Sequence, residues 1–483
     1  MTRLSIRGWL ALCGVAFLVL GVTGVCAGES GRNPVASSIA GAKSDDPADH
    51  KVLVMLRMPP EHFSPDSVYG ESYAGGSGRA VRHRMALATA RANGLALVDE
   101  WAMPLIGVDC YVMAVPLGRS TEEAAAKLSK DPEVEWAEPV RTYRSQSEAS
   151  AAHAGAKESG AKESGAKVMD NDPLYAVQPD TREWHLDALH RMATGRNVRV
   201  AIIDSAIELK HPDLVGQVEI DENFVPGAVP DAEVHGTGVA GIIAAVANNG
   251  KGIVGVAPHA RLMGLRACRQ QPDPSVTLCD SLSLAKALYF AVEHKAEVIN
   301  MSLSGPTDPL LGKLVDLAQA RGITIVAAVD KTLPGGGFPA SHLGVVAVID
   351  EALPQSEAPL SSVEPTGSTG LALHIFSAPG RDIPTTQPGG KWFFVTGSSY
   401  AAAHVSGLFA LVRERTRKAE TAQALATAPG SDAIDPCATL MRISTARDGG
   451  CAVFAGPGVP GADRRSPGTQ DLQPHDLALQ ARH

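Results

Sequence analysis

The sequence predicts an α/β protein: a parallel sheet covered by helices on both faces, with a small α+β domain before it. Two observations lead to this prediction. Between residues 170 and 415, short runs rich in β-branched residues alternate with helical patterns, and the runs are continuously apolar, as in strands buried on both faces. Residues 145–169 contain mainly Ala, Gly, Ser, Lys and Glu, including the unit ESGAK twice, which indicates a flexible linker after an earlier folded region.

The composition of the 483-residue chain supports at least one large core, since 45% of the residues are hydrophobic and 20% are charged. The net charge is −9, and no long basic run is present. Weak acidity of this kind argues against a nucleic acid as the main partner.

The N-terminus has the pattern of an export signal. Two arginines precede an apolar segment at residues 8–25, and small residues follow it. We therefore predict a signal peptide at residues 1–27, cleaved after Ala27, with no membrane span remaining after cleavage. A retained membrane anchor is the alternative, which the length of the apolar segment permits. Residues 28–50 are small and polar, and we expect a disordered spacer there.

The next region, residues 51–144, predicts a ferredoxin-like domain because its elements follow the order strand, helix, strand, strand, helix, strand. Its strand candidates are residues 51–57, 95–106, 108–116 and 134–143, and its helix candidates are residues 79–93 and 121–131.

After the linker, residues 170–415 supply the alternating elements of the parallel sheet. The strand candidates are residues 198–203, 260–266, 297–301 and 323–329, and helix candidates begin near His235 and cover residues 282–294 and 310–321. The tail at residues 416–483 is rich in Ala, Pro and Gly, so we expect it to be partly disordered apart from a small element around Cys437.

Five of the seven cysteines follow the predicted signal, and four of these form two closely spaced pairs, Cys268 with Cys279 and Cys437 with Cys451. In an oxidising compartment we expect two local disulfides, which is one of the three pairings open to four cysteines. Buried free thiols are the alternative, and the spacing does not favour a zinc site.

Three residues have the chemistry of a nucleophilic hydrolase. Asp204 ends an apolar strand, at the edge where α/β sheets build their sites. His235 opens a small-residue helix, whose N-terminus disfavours the imidazolium, so this histidine is able to accept a proton. Ser399 lies in TGSSYAAAHVSG, which by itself is also typical of a serine-capped core helix. Together, an aspartate orients the imidazole, the imidazole takes a proton from the serine, and the serine attacks a carbonyl.

The chain order Asp, His, Ser and the sequences around these residues resemble the subtilases, the subtilisin-like serine peptidases of the S8 family. Six blocks in register carry the resemblance: VAIIDSAI with HPDL, HGTGVAGIIAA, GIVGVAPHARLMGLRA, VINMSLSGP, SAPGRDI and GSSYAAAHVSG. The resemblance implies a subtilisin-like sheet with Ser399, rather than Ser398, as the nucleophile, His235 as the general base and Asp204 as its orienting partner.

The same resemblance implies how substrates and the N-terminal region bind. Ser302, Leu303 and Ser304 match the strand edge along which the family binds substrate backbone, with serine at 304 where glycine is usual. Residues 51–144 look like an inhibitor-like propeptide, and self-cleavage in the linker would release an active enzyme. The implied partners are protein or peptide substrates and the chain's own propeptide. We expect no organic cofactor and no catalytic metal; structural calcium occurs in the family, but no dense run of ligands indicates it here.

One departure from the family pattern concerns the oxyanion. Subtilases usually place an asparagine amide there, but the chain has no asparagine after Asn300. Lys331 takes that position without a gap, and Asp330 takes it with a gap of one residue. An inward-turned Lys331 would supply a positive donor, whereas an ionised Asp330 would repel the oxyanion. We expect Lys331 to point to solvent and the site to be weakened.

Two functions follow from these observations. The first is an exported serine endopeptidase, periplasmic or extracellular, made as a zymogen. The alternative is a catalytically weakened or inactive protein of the subtilase fold that acts as a binding or inhibitory protein of the cell envelope. The intact triad favours the first, and the missing asparagine favours the second.

Overall fold

The computed structural model describes residues 50–58, 73–147, 171–227, 230, 232–350, 374–418 and 422–443. The predicted signal peptide, all of the predicted spacer except its last residue, and residues 148–169 of the predicted linker lie outside these ranges, as do Cys451 and the end of the tail. No helix in the described ranges is long and apolar enough to cross a membrane.

In the described residues, the N-terminal domain is a four-stranded sheet with two helices. Its elements are β1 (Lys51–Arg57), α1 (Tyr73–Ala92), β2 (Ala96–Met103), β3 (Val108–Ala114), α2 (Thr121–Leu128) and β4 (Val134–Pro139). The strands lie in the order β2-β3-β1-β4, and all three pairings are antiparallel. This is the ferredoxin-like arrangement that the element order predicts.

The central strand of this domain has both faces buried. Because side chains alternate along a strand, Val52 and Val54 of β1 join the core of the N-terminal domain, while Leu53 and Met55 join a core that belongs mostly to the larger domain. The small sheet therefore packs its helices on one face and the larger domain on the other.

The larger domain contains the remaining elements. Its first half consists of β5 (Thr142–Ser145), which belongs to the N-terminal region by sequence, then α3 (Pro179–Glu183), α4 (Leu186–Met192), β6 (Arg199–Asp204), β7 (Val218–Asn223), α5 (Val234–Ala244), β8 (Arg261–Arg266), β9 (Cys268–Gln270), β10 (Thr277–Asp280) and α6 (Ser281–Glu293). Its second half consists of β11 (Val298–Met301), β12 (Leu303–Ser304), α7 (Pro309–Ala320), β13 (Thr324–Ala328), β14 (Val346–Ile349), β15 (Ile375–Ser377), β16 (Ile383–Gln387), β17 (Lys391–Val395), α8 (Ser398–Thr416) and α9 (Pro436–Ile443).

Seven of these strands form a parallel sheet in the order β15-β14-β13-β11-β6-β8-β7. Each face carries its own core: Val200 and Ile202 of β6 point to the core that contains α5 and α8, and Ala201 and Ile203 point to the core that contains α6 and α7. The continuously apolar strands are thus explained by burial on both faces, and the predicted fold class is confirmed.

Helix α8 is buried from Ser398 through Val412. Its small residues allow close packing on its neighbours: a Cβ at Gly407 would lie 2.6 Å from the Cβ of Val256. The start of α8 lies at the carboxyl edge of the sheet, because Ser398 contacts Asp350, which follows β14, and Ser399 contacts Ser302, which follows β11.

The run predicted as one strand at residues 134–143 is two strands. β4 ends at Pro139, and β5 leaves the small sheet to lie between β10 and β12, antiparallel to both. Ser281, the first residue of α6, holds the segment between β4 and β5 in place. Its amide donates to the carbonyl of Arg141 at 2.9 Å, and its hydroxyl accepts from the amide of Arg141 at 3.0 Å. The N-terminal region thereby adds a strand to the larger domain.

The cysteine prediction is confirmed for one pair. A disulfide joins Cys268 to Cys279, which face each other across β9 and β10. Cys437 is disulfide-bonded as well, but its predicted partner, Cys451, lies outside the described residues. Cys110 on β3 is a buried free thiol.

Candidate active site

Asp204 and His235 meet at the carboxyl edge of the sheet. Asp204 is the last residue of β6, and His235 lies in the first turn of α5. The imidazole Nδ1 is 2.7 Å from Oδ1 and 2.9 Å from Oδ2 of Asp204, and the amide of Ser205 donates to the same carboxylate at 2.6 Å. Both side chains are buried, so the carboxylate holds the imidazole in one orientation.

Ser399 is positioned by a sharp turn at Gly397. The φ angle of Gly397 is 147°, a conformation that favours glycine, and α8 begins at the next residue. Ser399 is therefore the second residue of α8, and no serine side chain caps the helix. The hydroxyl of Ser399 donates to the carbonyl of Ser302 at 2.8 Å and accepts from the amide of Gln146 at 2.9 Å.

The imidazole of His235 packs near the start of α8 and makes no hydrogen bond to Ser399. The ring of Tyr400, the next residue along α8, has its centroid 5.6 Å from that of His235. Nε2 of His235 is buried and has no hydrogen-bond partner in the described ranges. Burial, reinforced by the charge of Asp204, raises the pKa of Tyr400, so its phenol stays neutral. Asp204 and His235 are thus in direct contact, whereas the hydroxyl of Ser399 is hydrogen-bonded to Ser302 and Gln146.

The predicted backbone-binding strand is paired with β5. In β12, Leu303 lies opposite Ser145 and Ser304 lies opposite Arg144, and the next amide, that of Gln146, donates to the carbonyl of Ser302 at 3.4 Å. The hydroxyl of Ser304 donates to the carbonyl of Gly336 at 2.9 Å, so the side chain that replaces the usual glycine is held by a neighbouring loop.

The peptide bond between Gln146 and Ser147 lies next to Ser399. The carbonyl oxygen of Gln146 accepts a hydrogen bond from the amide of Ser399 at 3.0 Å. A Cβ at Gly397 would lie 2.3 Å from this oxygen and 2.7 Å from the Cα of Ser147. Glycine is therefore required at 397 both for the turn and for the approach of this segment.

The two candidates for the oxyanion position have other partners. The carboxylate of Asp330 accepts from the amide of Thr332 at 2.8 Å and from its hydroxyl at 2.6 Å, closing a turn within its own loop. The ammonium of Lys331 lies 3.5 Å from the carboxylate of Asp350, and 43% of the lysine side chain is exposed. Among the described residues, the hydrogen bond to the Gln146 carbonyl comes from the amide of Ser399.

Asp350 is a site residue that the sequence prediction missed. It follows β14 directly, and its buried carboxylate accepts a hydrogen bond from the hydroxyl of Ser398 at 3.2 Å. The available signal was its place at the end of an apolar run, the same signal that identified Asp204.

No group of three or more His, Cys, Asp or Glu side chains suited to a metal ion occurs in the described part of the chain.

Comparison with known proteins identifies relatives of this chain. The model of the subtilase family matches residues 195–440. Subtilisin NAT from Bacillus subtilis subsp. natto is 36% identical over 235 residues, which cover 47% of this chain and 58% of that protein. Subtilisin from Bacillus pumilus is also 36% identical over 235 residues, which cover 80% of its length. The chain thus spans less than two thirds of the first of these relatives.

The solved structure of fervidolysin from Fervidobacterium pennivorans, a keratinolytic enzyme related to subtilisin, has the same fold. Its TM-score is 0.55 at 21% identity, with 81% of this chain and 61% of that chain covered. Because the family model matches about half of the chain and includes Asp204, His235 and Ser399, this chain belongs to the subtilase family.

Proposed function

We propose that the protein is an exported serine endopeptidase made as a zymogen, and that it cleaves its own chain between Gln146 and Ser147. The observation that carries this proposal is the contact of Ser399 with that bond. Its amide donates to the Gln146 carbonyl at 3.0 Å, and its hydroxyl accepts from the Gln146 amide at 2.9 Å.

In the proposed reaction, the hydroxyl of Ser399 turns from the Ser302 carbonyl to Nε2 of His235, which has no partner in the described residues. His235 takes the proton as Oγ attacks the carbonyl carbon of Gln146. The developing negative charge falls on the oxygen that accepts from the Ser399 amide. His235 then gives the proton to the nitrogen of Ser147, which leaves as a free amine, and water hydrolyses the acyl-enzyme on Ser399.

The oxyanion would receive fewer donors than usual for the family. Removing one donor from the oxyanion hole of a subtilisin lowers turnover by about a hundred- to a thousandfold. Lys331 is paired with Asp350, and Asp330 is hydrogen-bonded within its own turn. We therefore expect a slow enzyme in which the amide of Ser399 is the main donor to the oxyanion.

The N-terminal domain serves as the propeptide in this proposal. Besides β5 in the cleft, Trp101 packs edge-on against Tyr289 of α6 with ring centroids 5.1 Å apart, and Lys286 of α6 lies 2.7 Å from the carboxylate of Asp99. These contacts hold the domain over the cleft until the chain is cut. Release of the domain would leave the strand edge of β12 free for other extended peptides.

Export is supported by the N-terminal apolar segment and by the disulfide between Cys268 and Cys279, which needs an oxidising compartment to persist. We place the mature enzyme in the periplasm or the medium.

The test compares the full chain with its Ser399→Ala variant. We expect the wild type to yield two fragments, one that ends at Gln146 and one that begins at Ser147, as measured by intact mass. The Ser399→Ala variant should remain uncleaved at that bond. A fluorophosphonate probe should then label Ser399 in the processed wild type and leave the variant unlabelled.

An intact wild-type chain whose Ser399 resists the probe, with a circular dichroism spectrum equal to that of the variant, would favour the alternative of a binding or inhibitory protein. Cleavage at another bond of the linker, with Ser399 labelled, would support the peptidase activity and contradict Gln146–Ser147 as the processing site.

A further inference from the structure

A buried carboxylate lies directly behind the turn that carries Ser399. The side chain of Asp350 is 3% exposed, and its Oδ1 accepts the hydroxyl hydrogen bond of Ser398. The turn packs tightly here: a Cβ at Gly380 would lie 2.6 Å from the Cβ of Asp350 and 2.9 Å from the carbonyl oxygen of Gly397. Asp350 therefore touches the turn just before the nucleophile.

Two cations from different loops flank this carboxylate. Nζ of Lys331 is 3.5 Å from Oδ1, and Nε of Arg381 is 3.5 Å from Oδ2. The two cationic side chains are 43% and 46% exposed. The anion is thus buried, whereas its counterions reach it from the solvent side, as expected where a buried charge must be paired.

We propose that Asp350 is a positioning residue, which anchors the Gly397–Ser399 turn through Ser398, and that Lys331 is its counterion rather than a donor to the oxyanion. An unneutralised carboxylate behind the turn would destabilise the negative charge that develops beside the amide of Ser399. Lys331 and Arg381 cancel that charge. The inference rests on the proposed peptidase function and gives Lys331 a different task from the one its sequence position suggests.

The two roles of Lys331 predict opposite results in a double variant. If Lys331 neutralises Asp350, Lys331→Met should lower kcat about ten- to a hundredfold at unchanged KM, and adding Asp350→Asn should restore kcat to within about threefold of the single Asp350→Asn variant. If Lys331 donates to the oxyanion, the double variant should remain as slow as Lys331→Met, which would overturn the inference.

The anchoring role of Asp350 is tested by comparing two substitutions at this position. Asparagine at 350 keeps an oxygen that accepts from Ser398, and alanine does not. Asp350→Asn should therefore stay within about threefold of wild-type kcat, whereas Asp350→Ala should fall at least tenfold below it. Equal kcat values for Asp350→Asn and Asp350→Ala would contradict the anchoring role of Asp350. Lys391→Met, at an exposed lysine of β17, controls for the loss of one positive charge.

Labelling of the wild type with a fluorophosphonate separates failure of this inference from failure of the proposed function. If Ser399 is labelled but Asp350→Asn does not rescue Lys331→Met, the inference alone fails. If Ser399 is not labelled, the peptidase proposal fails, and the positioning role fails with it. The ion pair is then judged by urea unfolding of the wild type, Lys331→Met, Asp350→Asn and the double variant. If the effects of the two substitutions on the free energy of unfolding simply add, the ion pair is excluded.

Discussion

Tyr143 is the residue of β5 that the larger domain encloses most completely. It is fully buried, its ring packs edge-on against Phe338 with centroids 6.4 Å apart, and its hydroxyl donates to the carbonyl of Pro306 at 2.9 Å. A Cβ at Gly305 would lie 2.4 Å from the ring, so glycine makes room for it. Because Tyr143 stands three residues before Gln146, we expect a preference for aromatic residues at that position of substrates.

This preference is measurable within the chain itself. Tyr143→Ala should slow self-cleavage at least about tenfold, because burial of a large apolar side chain contributes roughly 1.5–3 kcal/mol. Tyr143→Phe should slow it no more than about fivefold, since it loses one hydrogen bond of about 1 kcal/mol. The rate is read from the appearance of fragments by mass.

A folding defect of Tyr143→Ala would not obscure the result, because the processed wild-type enzyme can be given short peptides with Tyr or Ala at the same position. Equal kcat/KM for the two peptides would contradict the preference.

At the scale of elements, the disulfide between β9 and β10 supports one wall of the cleft. Cys279 lies opposite Cys268 on β9 and opposite Tyr143 on β5. Since β10 is a short strand of four residues, we expect its position beside β5 to depend on this link.

Removing the disulfide should therefore weaken substrate binding. We expect the Cys268→Ala/Cys279→Ala double variant to lose about 2–3 kcal/mol of stability and to show a KM raised at least threefold with a smaller change in kcat. The measurements are urea unfolding and steady-state kinetics of the processed enzyme. Cys110→Ala is the control, because Cys110 belongs to the N-terminal domain, which in our proposal is released by cleavage. An unchanged KM in the double variant would show that β10 holds its place without the link.

At the scale of the whole molecule, attachment of the N-terminal domain includes a pair of buried carboxyl groups. Glu138 of β4 is 3% exposed; burial raises its pKa to about 8, and the carboxylate of Asp308 adds to the shift. Asp308 is the N-cap of α7, where it accepts from the amide of Leu311 at 2.9 Å, and burial raises its pKa as well. Arg141 opposes both shifts.

The direction of the pH dependence follows from these shifts. The folded chain holds a proton on Glu138 that the unfolded chain releases near pH 4.5, so the folded state is favoured at low pH. Stability from this group is complete below about pH 4.5 and is lost as the pH rises towards about 8. Detachment of the N-terminal domain should accordingly become easier in mildly alkaline solution.

The test uses the full chain with Ser399→Ala, which cannot cut itself in our proposal, with and without Glu138→Gln. The parent should lose about 1–3 kcal/mol of unfolding free energy relative to the Gln variant between pH 5 and pH 9, because Gln stays neutral throughout. Parallel pH profiles in urea unfolding would show that Glu138 does not titrate at this interface.

The sequence was sufficient for the fold class, for most of the helices and for the contact of Asp204 with His235. Apolar runs, helical periodicity and the order of elements depend on local residue patterns, and they predicted both the ferredoxin-like domain and the parallel sheet. Asp204 and His235 were predicted because strand ends and helix starts of such a sheet meet at one edge. Their contact of 2.7 Å agrees with that reasoning.

Only the tertiary structure decided the contacts between segments that are far apart in the chain. No local pattern shows that β5 leaves its own sheet for β10 and β12, that Gln146 lies against Ser399, or that Lys331 pairs with Asp350. Periodicity reports which side of an element is buried, but not which distant residue covers it. The partner of a buried charge or of an unpaired strand edge is chosen by packing of the whole chain.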